Sequence, residues 1–513
     1  MHSNLEARER RPVRLGVAGA VLAFLTLAGL QALAVRPYLP PDELYHVGYA
    51  ATVLDGRLPT LTSPLPAGGV PLGPADGQAR RVYVANHPPL FYAVTAAPLW
   101  LGQRLGAPGV GFLAARLVSA SLAAAGVVLV AWLAALLAPG RPRVAVGAAW
   151  LAALLPSLPH VSAFVYNDGL GFLAATATLV AAVAVVRRGP ALPSLAGLAA
   201  ASAAAALTRA PGLALVVVAA AAAVGGVLLH RGGPPVGRVL AAASAGALVA
   251  GAAGGSTVWF NLRNRSLYGS LTGAAYNQEL FGFEPQDHVL ALLRSPAYLL
   301  RLYDGLWVWT RFNLPRVTPP PVLVAVPRMA GMLALAGLAV AAADLLQTRR
   351  PPRWEAPAVL AWGLVLTWLA GVYAMVAAYD GNGGHTHPRY LFPALAVLAV
   401  LGAAGLDRLP GGRRGQWLLA VVLTQLALTG AAWAGLVTAL RGRRPEDPVG
   451  LLGAIAGLLE AAGMPWPWLP LALAGTLVTG ALVLLTVALS RTRPREPDPH
   501  PATAGALESS HVA

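Results

Sequence analysis

The chain has 513 residues, of which 57% are hydrophobic and 11% charged. Soluble domains carry roughly a quarter charged residues, so this composition excludes an ordinary soluble globule. The formal charge of +16 rests on Arg alone, placed in short loops between apolar runs, which reads as membrane topology rather than as a nucleic-acid surface, and the absence of Cys excludes a disulfide framework, a thiol nucleophile and a thiolate metal site.

The N-terminal segment 1–14 carries Arg8, Arg10, Arg11 and Arg14, and the apolar run 15–35 follows. Ala32-Leu33-Ala34 resembles a signal-peptidase site, but the run is long for a signal peptide, so it reads as an uncleaved first span. Further apolar runs lie at 111–138, 144–164, 170–186, 192–207, 211–229, 237–258, 322–347, 356–378, 389–407, 416–439 and 467–489. Their lengths suit hydrocarbon crossings. Backbone polar groups there must be satisfied within the segment, and the runs do not alternate as barrel strands would, so helices are predicted. The expected fold class is all-α, a polytopic membrane protein of about twelve transmembrane helices (11–13) spanning 15–490, followed by a polar, Pro-rich tail 491–513 that reads as disordered and cytoplasmic.

With the N-terminus inside, the loops bearing Arg141 and Arg143, Arg187 and Arg188, Arg231 and Arg238, Arg349, Arg350 and Arg353, and Arg408, Arg413 and Arg414 all fall on the cytoplasmic side, as does Arg491 at the start of the tail. One loop resists: Arg441, Arg443 and Arg444 fall outside. Two long extracytoplasmic segments remain, about 36–110 and 260–321, each expected to bear short interfacial helices. The apolar stretch 88–101 within the first is too short to be a span, and counting it as one would turn the basic loops outward.

Ionisable and amide side chains gather at the predicted outer rim. Asp42, Glu43 and His46 follow the first span, and Asn86 and His87 precede the short apolar stretch. Asn167 and Asp168 follow the third span, and Arg209 stands in a tight turn. Arg263 and Asn264 follow the seventh span, and Asp380, His385, His387, Arg389 and Tyr390 flank the start of the tenth. Each has an ordinary explanation. Asp42-Glu43 and Asn167-Asp168 are good helix starts. His87 suits an interfacial turn, His385 and His387 a solvated loop, and Arg389 a snorkelling anchor. What argues for a site is that six well-separated segments deliver such groups to one membrane face.

The same segments carry a family resemblance. PPDELYHVGYA at 40–50 resembles the first extracytoplasmic loop of the GT-C glycosyltransferase superfamily, and HPPLFYAV at 87–94 the His-Pro-Pro-Leu segment after it. YNDGLGFL at 166–173 resembles the second acidic motif, and ALTRAPGLAL at 206–215 the basic turn beyond it. WFNLRNRSLYGSLTG at 259–273 and HPRYLFPALA at 387–396 resemble later motifs. Taken in order over most of the chain, they look most like the phospholipid-carrier-dependent branch with a Pro-Asp-Glu-x-x-His signature. The chain departs from that branch where members often read Gln-Gly-Arg-Tyr and it has Thr386-His387-Pro388-Arg389-Tyr390. The later loop motif is matched only loosely by Asp304-Gly305-Leu306-Trp307.

The resemblance implies inverting transfer of a sugar from a polyprenyl-phosphate carrier to an acceptor, on the extracytoplasmic face of the plasma membrane. It points to Asp42 as general base, with Glu43 and Asp168 shaping the site or holding Mg²⁺ or Mn²⁺. Arg209, Arg263 and Arg389 are the phosphate candidates. His46, His87, Asn264, His387 and Tyr390 are the further substrate contacts. The alternative from a different class is a transporter or lipid flippase. That needs ionisable groups near the bilayer midplane on broken helices, whereas the acids here lie at one rim.

Overall fold

Water is absent from hydrocarbon, so a chain crossing it must close its peptide hydrogen bonds within itself. In the computed structural model, each apolar run predicted as a span is helical, in one case with an interruption. The structure describes residues 2–40, 42–66, 80–284, 288–307, 321–347, 355–384, 387–409, 414–443 and 445–492. The tail beyond 492, His385 and the Arg cluster 349–353 lie outside these residues.

The first half of the chain forms α1 (His2–Ala34), α2 (Glu43–Leu54), α3 (Leu90–Arg104), α4 (Pro108–Leu137), α5 (Pro142–Ala153), α6 (Ser157–Ser162), α7 (Asp168–Arg188), α8 (Leu192–Ala206), α9 (Pro211–His230) and α10 (Pro235–Tyr268). The second long loop holds α11 (Ala274–Leu280), α12 (Val289–Arg294) and α13 (Pro296–Trp307). Then come α14 (Pro321–Gln347), α15 (Ala356–Gly381), a 3-10 turn at Pro388–Ala394 that runs into α16 (Leu395–Leu406), α17 (Arg414–Arg441), α18 (Pro448–Ala461) and α19 (Trp468–Arg491). Pro108, Pro142, Pro211, Pro235 and Pro448 each open a helix, where a missing N–H costs no intrahelical bond.

Among the described residues, 10 helical stretches are long and apolar enough to cross a membrane, the 3-10 turn and α16 counting as one. The chain is a multi-pass membrane protein. Two predicted spans fall short of that measure. The run 192–207 gives α8, of only 15 residues, and 144–164 breaks after Ala153 into α5 and α6. Pro156 explains the break: it lacks an N–H and pushes the residue before it out of helical geometry. The stretch 88–101 forms α3, 15 residues with Pro98 inside, and is not among the ten.

Small residues let these helices approach closely, as membrane packing favours. Gly16 of α1 lies against Val146 of α5 and Ala488 of α19, and Gly19 against Ala481 and Trp150. The start of α1 therefore meets the end of α19. At that same end, Arg143 Nε donates to Thr492 Oγ1 at 3.3 Å. His230 Nε2 bonds the Val186 carbonyl at 2.8 Å, and Arg408 faces Asp344 at 3.5 Å. Segments read as cytoplasmic thus meet one another, while Asp42, Asp168, Arg209 and Arg389 meet at the opposite helix ends.

The exceptional loop after α17 has a structural account. Leu418 packs on Gly147 and Gln425 Nε2 donates to the Leu151 carbonyl at 3.0 Å, so α17 runs parallel to α5. α19 returns toward the start of α1, and the 14-residue α18 between them is too short to add a crossing. Arg441 therefore stays at the site end, at the C-terminus of α17 where a cation suits the helix dipole. Its guanidinium packs over Gly457 of α18.

Single-Cys labelling in intact cells gives the sidedness, and the Cys-free chain needs no background removal. Residues placed near 141, 188, 231, 350 and 413 are expected to be shielded from an impermeant maleimide, and residues near 57 and 270 to react. External labelling at two or more of the first group would reject this topology.

Candidate active site

The site is built where loop and helix ends converge. Asp42 stands immediately before α2, and it occupies the N-cap position without making a side-chain cap bond. Its Oδ1 instead accepts from the Tyr83 hydroxyl and its Oδ2 accepts from Arg389 Nη2 at 2.5 Å. Asn167, the N-cap of α7, likewise makes no side-chain cap bond. Asp168 Oδ1 accepts from Arg209 Nη1, and its Oδ2 lies 3.8 Å from Arg389 Nη1. Arg389 thus bridges the two acids. Its guanidinium lies over Tyr166 and Tyr390, 5.3 and 5.8 Å from the ring centroids.

Local structure fixes these positions. The turn carrying Arg209 is tight because Gly212 has no Cβ, and one there would run into the Ala205 carbonyl. The amide of Leu90 bonds the Leu207 carbonyl at 3.3 Å, so the start of α3 is tied to the same turn. The 3-10 geometry at Pro388–Ala394 presents Arg389 and Tyr390 before α16 begins.

Around this centre lies a cavity of about 650 Å³, within the range of small-molecule sites. Asp42, His46, His87, Asp168, Arg209, His387, Arg389 and Tyr390 all line it. One wall is apolar, with Val372, Met375 and Val376 of α15 and Pro211 and Pro393. The other carries amides and aromatic rings: Asn86, Asn277, Gln278, Tyr83, Phe281 and Phe283.

Three of the predicted site residues do not reach it. Glu43 is fully buried and faces away from the cavity. Consecutive helix residues diverge by roughly a hundred degrees, so it cannot share the direction of Asp42. Its carboxylate forms a two-pronged pair with Arg116, Nε to Oε1 at 2.8 Å and Nη2 to Oε2 at 2.6 Å. It also accepts from the amides of Val165 and Tyr38, each at 3.1 Å. Arg263 Nη2 donates to the Pro59 carbonyl at 2.8 Å rather than facing the cavity. Asn264 Nδ2 donates to the Asn86 carbonyl at 3.0 Å. Asn264 braces the segment that presents Asn86 and His87, and Arg263 the segment that follows α2.

The electrostatics follow from burial and pairing. Burial pushes the Asp42 carboxyl up, but the Arg389 guanidinium and the Tyr83 hydroxyl outweigh it and hold it well below the usual carboxylate range. Burial pulls His46 down to about 4 and His87 well below its ordinary value, so both rings are neutral at physiological pH. His46 Nδ1 is hydrogen-bonded to the Tyr92 hydroxyl at 3.1 Å. Burial and the Asp42 carboxylate together push the Tyr83 phenol up, which keeps it a donor.

As metal ligands, Asp42, Glu43 and Asp168 do not fit. Each carboxylate is already matched by a guanidinium, and Glu43 is remote from the other two in direction. Among the described residues, no group of three or more His, Asp or Glu side chains is arranged to hold a metal ion.

Tyr83, Asn277, Gln278 and Phe281 were not foreseen from the sequence. Tyr83 and Phe281 sit in irregular segments and Asn277 and Gln278 on the short α11, which has no buried face to mark it, and only the fold brings them to the cavity. Arg116 had a signal: an Arg within an apolar helix implies a buried acidic partner.

No protein-family model matches the chain, and no curated protein is significantly similar to it. Solved structures similar to it include ArnT from Cupriavidus metallidurans bound to undecaprenyl phosphate, at 18% identity over 94% of this chain and 78% of that one, with a TM-score of 0.47. The arabinofuranosyltransferase AftD from Mycobacteria is similar at 22% identity over 82% of this chain and 26% of that one, with a TM-score of 0.43. The oligosaccharyltransferase of Archaeoglobus fulgidus is similar at 13% identity over 83% of this chain and 58% of that one, with a TM-score of 0.41.

Proposed function

We propose that the chain transfers a sugar from a polyprenyl-phosphate donor to a hydroxyl acceptor on the extracytoplasmic face of the plasma membrane, with inversion and with Asp42 as general base. The observation that carries this reading is the make-up of the cavity. Two guanidiniums and two carboxylates stand together at one end of the membrane helices, beside an apolar wall on α15. A lipid phosphate matches that arrangement, with its tail along Val372, Met375 and Val376 and its phosphate on Arg209 and Arg389.

In the transfer, the acceptor oxygen attacks the anomeric carbon as its proton passes to the Asp42 carboxylate. The bond from that carbon to the phosphate oxygen breaks, and its electron pair leaves with the polyprenyl phosphate. The added negative charge falls on Arg209 and Arg389, where fixed donors cost no reorganisation. Arg389 links the two events. While it is paired with Asp42, it keeps that carboxylate a weak base. A phosphate that draws on the guanidinium restores basicity to Asp42 as the donor arrives.

Arg209→Gln tests the phosphate assignment. Hydrogen bonds to charged groups contribute roughly 1.5–3 kcal/mol, so undecaprenyl phosphate should bind the variant roughly tenfold to a hundredfold more weakly. Membrane levels should be normal. Wild-type affinity in the variant would remove Arg209 from the phosphate site.

A further inference from the structure

The amide and aromatic wall has a chemistry of its own. Asn86 Nδ2 is committed to the Thr272 carbonyl at 3.0 Å, which fixes the direction of its Oδ1. That oxygen, Asn277 Oδ1 and Asn167 Nδ2 are all buried, and none has a hydrogen-bond partner among the described residues. Asn167 is itself only 1% exposed. All three side chains line the one cavity. Buried polar atoms are normally paired, and an orphan costs roughly 1–3 kcal/mol. Here two orphan acceptors and one orphan donor point to a ligand that both donates and accepts.

Beside them, aromatic rings form a continuous ledge. Tyr83 meets Phe281 edge to face at 5.1 Å, and Phe281 stacks on Phe283 at 5.4 Å. A pyranose or furanose presents such a pair of surfaces, hydroxyls around its edge and C–H groups on its face. The C–H face packs on the electron-rich face of an aromatic ring. Among the described residues, the carboxylates and guanidiniums lining the cavity are Asp42, Asp168, Arg209 and Arg389, and they pair with one another. Among the described residues of the amide wall, a charged sugar would meet no carboxylate or guanidinium left over.

We propose that Asn86, Asn167, Asn277 and the Phe281 ledge form a subsite for an uncharged, polyhydroxylated sugar ring. This rests on the glycosyl-transfer reading of the cavity and adds the class of sugar that it takes. The ring is either the donor's glycosyl group or the terminal sugar of the acceptor.

The test is binding to the purified full chain in detergent. The probes are undecaprenyl phosphate alone, the same lipid carrying glucose, mannose, galactose or arabinose, and the same lipid carrying 4-amino-4-deoxyarabinose or glucuronate. Methyl glycosides of the four neutral sugars complete the set. At least one neutral sugar should raise affinity over the bare lipid by roughly tenfold, about the value of one or two hydrogen bonds, and the charged sugars should not. Asn277→Ala and Phe281→Ala should each erase that gain. If the ring belongs to the acceptor, the gain appears with a methyl glycoside instead, and the same variants erase it.

The subsite is overturned if no neutral sugar gains affinity in either form, if a charged sugar gains more, or if both variants keep the gain. Failure of the underlying reading looks different, because bare undecaprenyl phosphate would then not bind at all.

Discussion

Asp42→Asn is expected to cut sugar transfer roughly a hundredfold to ten-thousandfold, the usual cost of losing a general base, with normal membrane insertion. Asn keeps the size of the side chain; its Oδ1 can still accept from Arg389 while its Nδ2 donates to the Tyr83 hydroxyl oxygen. As a helix cap, Asn is about as good as Asp, so a capping role would leave activity intact. The Asp42 side chain makes no cap bond; it is spent on Tyr83 and Arg389 instead. The variant therefore separates a chemical role from a structural one.

The second large effect concerns stability. The Arg116 side chain is 2% exposed and that of Glu43 0%. Besides Glu43, Arg116 donates to the carbonyls of Ala32 and Val35 at 2.8 and 2.6 Å and of Arg36 at 3.3 Å. Its five donor hydrogens are thereby matched. The pair joins the end of α1, the start of α2, α4 and the segment before Asp168. It also holds Tyr38, whose φ of 60° is uncommon for a non-Gly residue. Arg116→Met leaves a buried carboxylate uncompensated and should cost about 3–5 kcal/mol. Glu43→Gln keeps an acceptor without the charge and should cost less. Unfolding in detergent checks this through the denaturation midpoints. If Arg116→Met unfolds with the wild-type protein, the pair does not hold the fold together.

Much of this was legible in the sequence, for identifiable reasons. Hydrocarbon imposes helices on apolar runs, so each predicted span carries helix. The expensive residues are pushed to the rims, which is why Asp42, Asp168, Arg209 and Arg389 stand out and converge. Direction around a helix was legible in part: the step of roughly a hundred degrees sets Glu43 apart from the adjacent Asp42, but its pairing with Arg116 could not be read from the sequence. Arg263 and Asn264 lie in a motif that resembles a substrate-binding one, and here each braces a different segment. Short loop elements were least legible. α11 has no buried residue to mark it, and its Asn277 and Gln278 reach the cavity only through tertiary folding. The two sub-length helices fell to local rules, a Pro break in one run and a short apolar stretch in the other.

Turnover distinguishes sugar transfer from lipid transport. Purified protein in liposomes is given undecaprenyl-phosphate donors carrying radiolabelled neutral sugars, together with a cell-envelope extract as acceptor. Release of undecaprenyl phosphate and label in a new product are followed for the wild type and for Asp42→Asn. Label transfer by the wild type, with the anomeric configuration inverted, and its near loss in the variant are expected. Equal transfer by both proteins, or donor lipid moved across the bilayer with its sugar still attached, would contradict it.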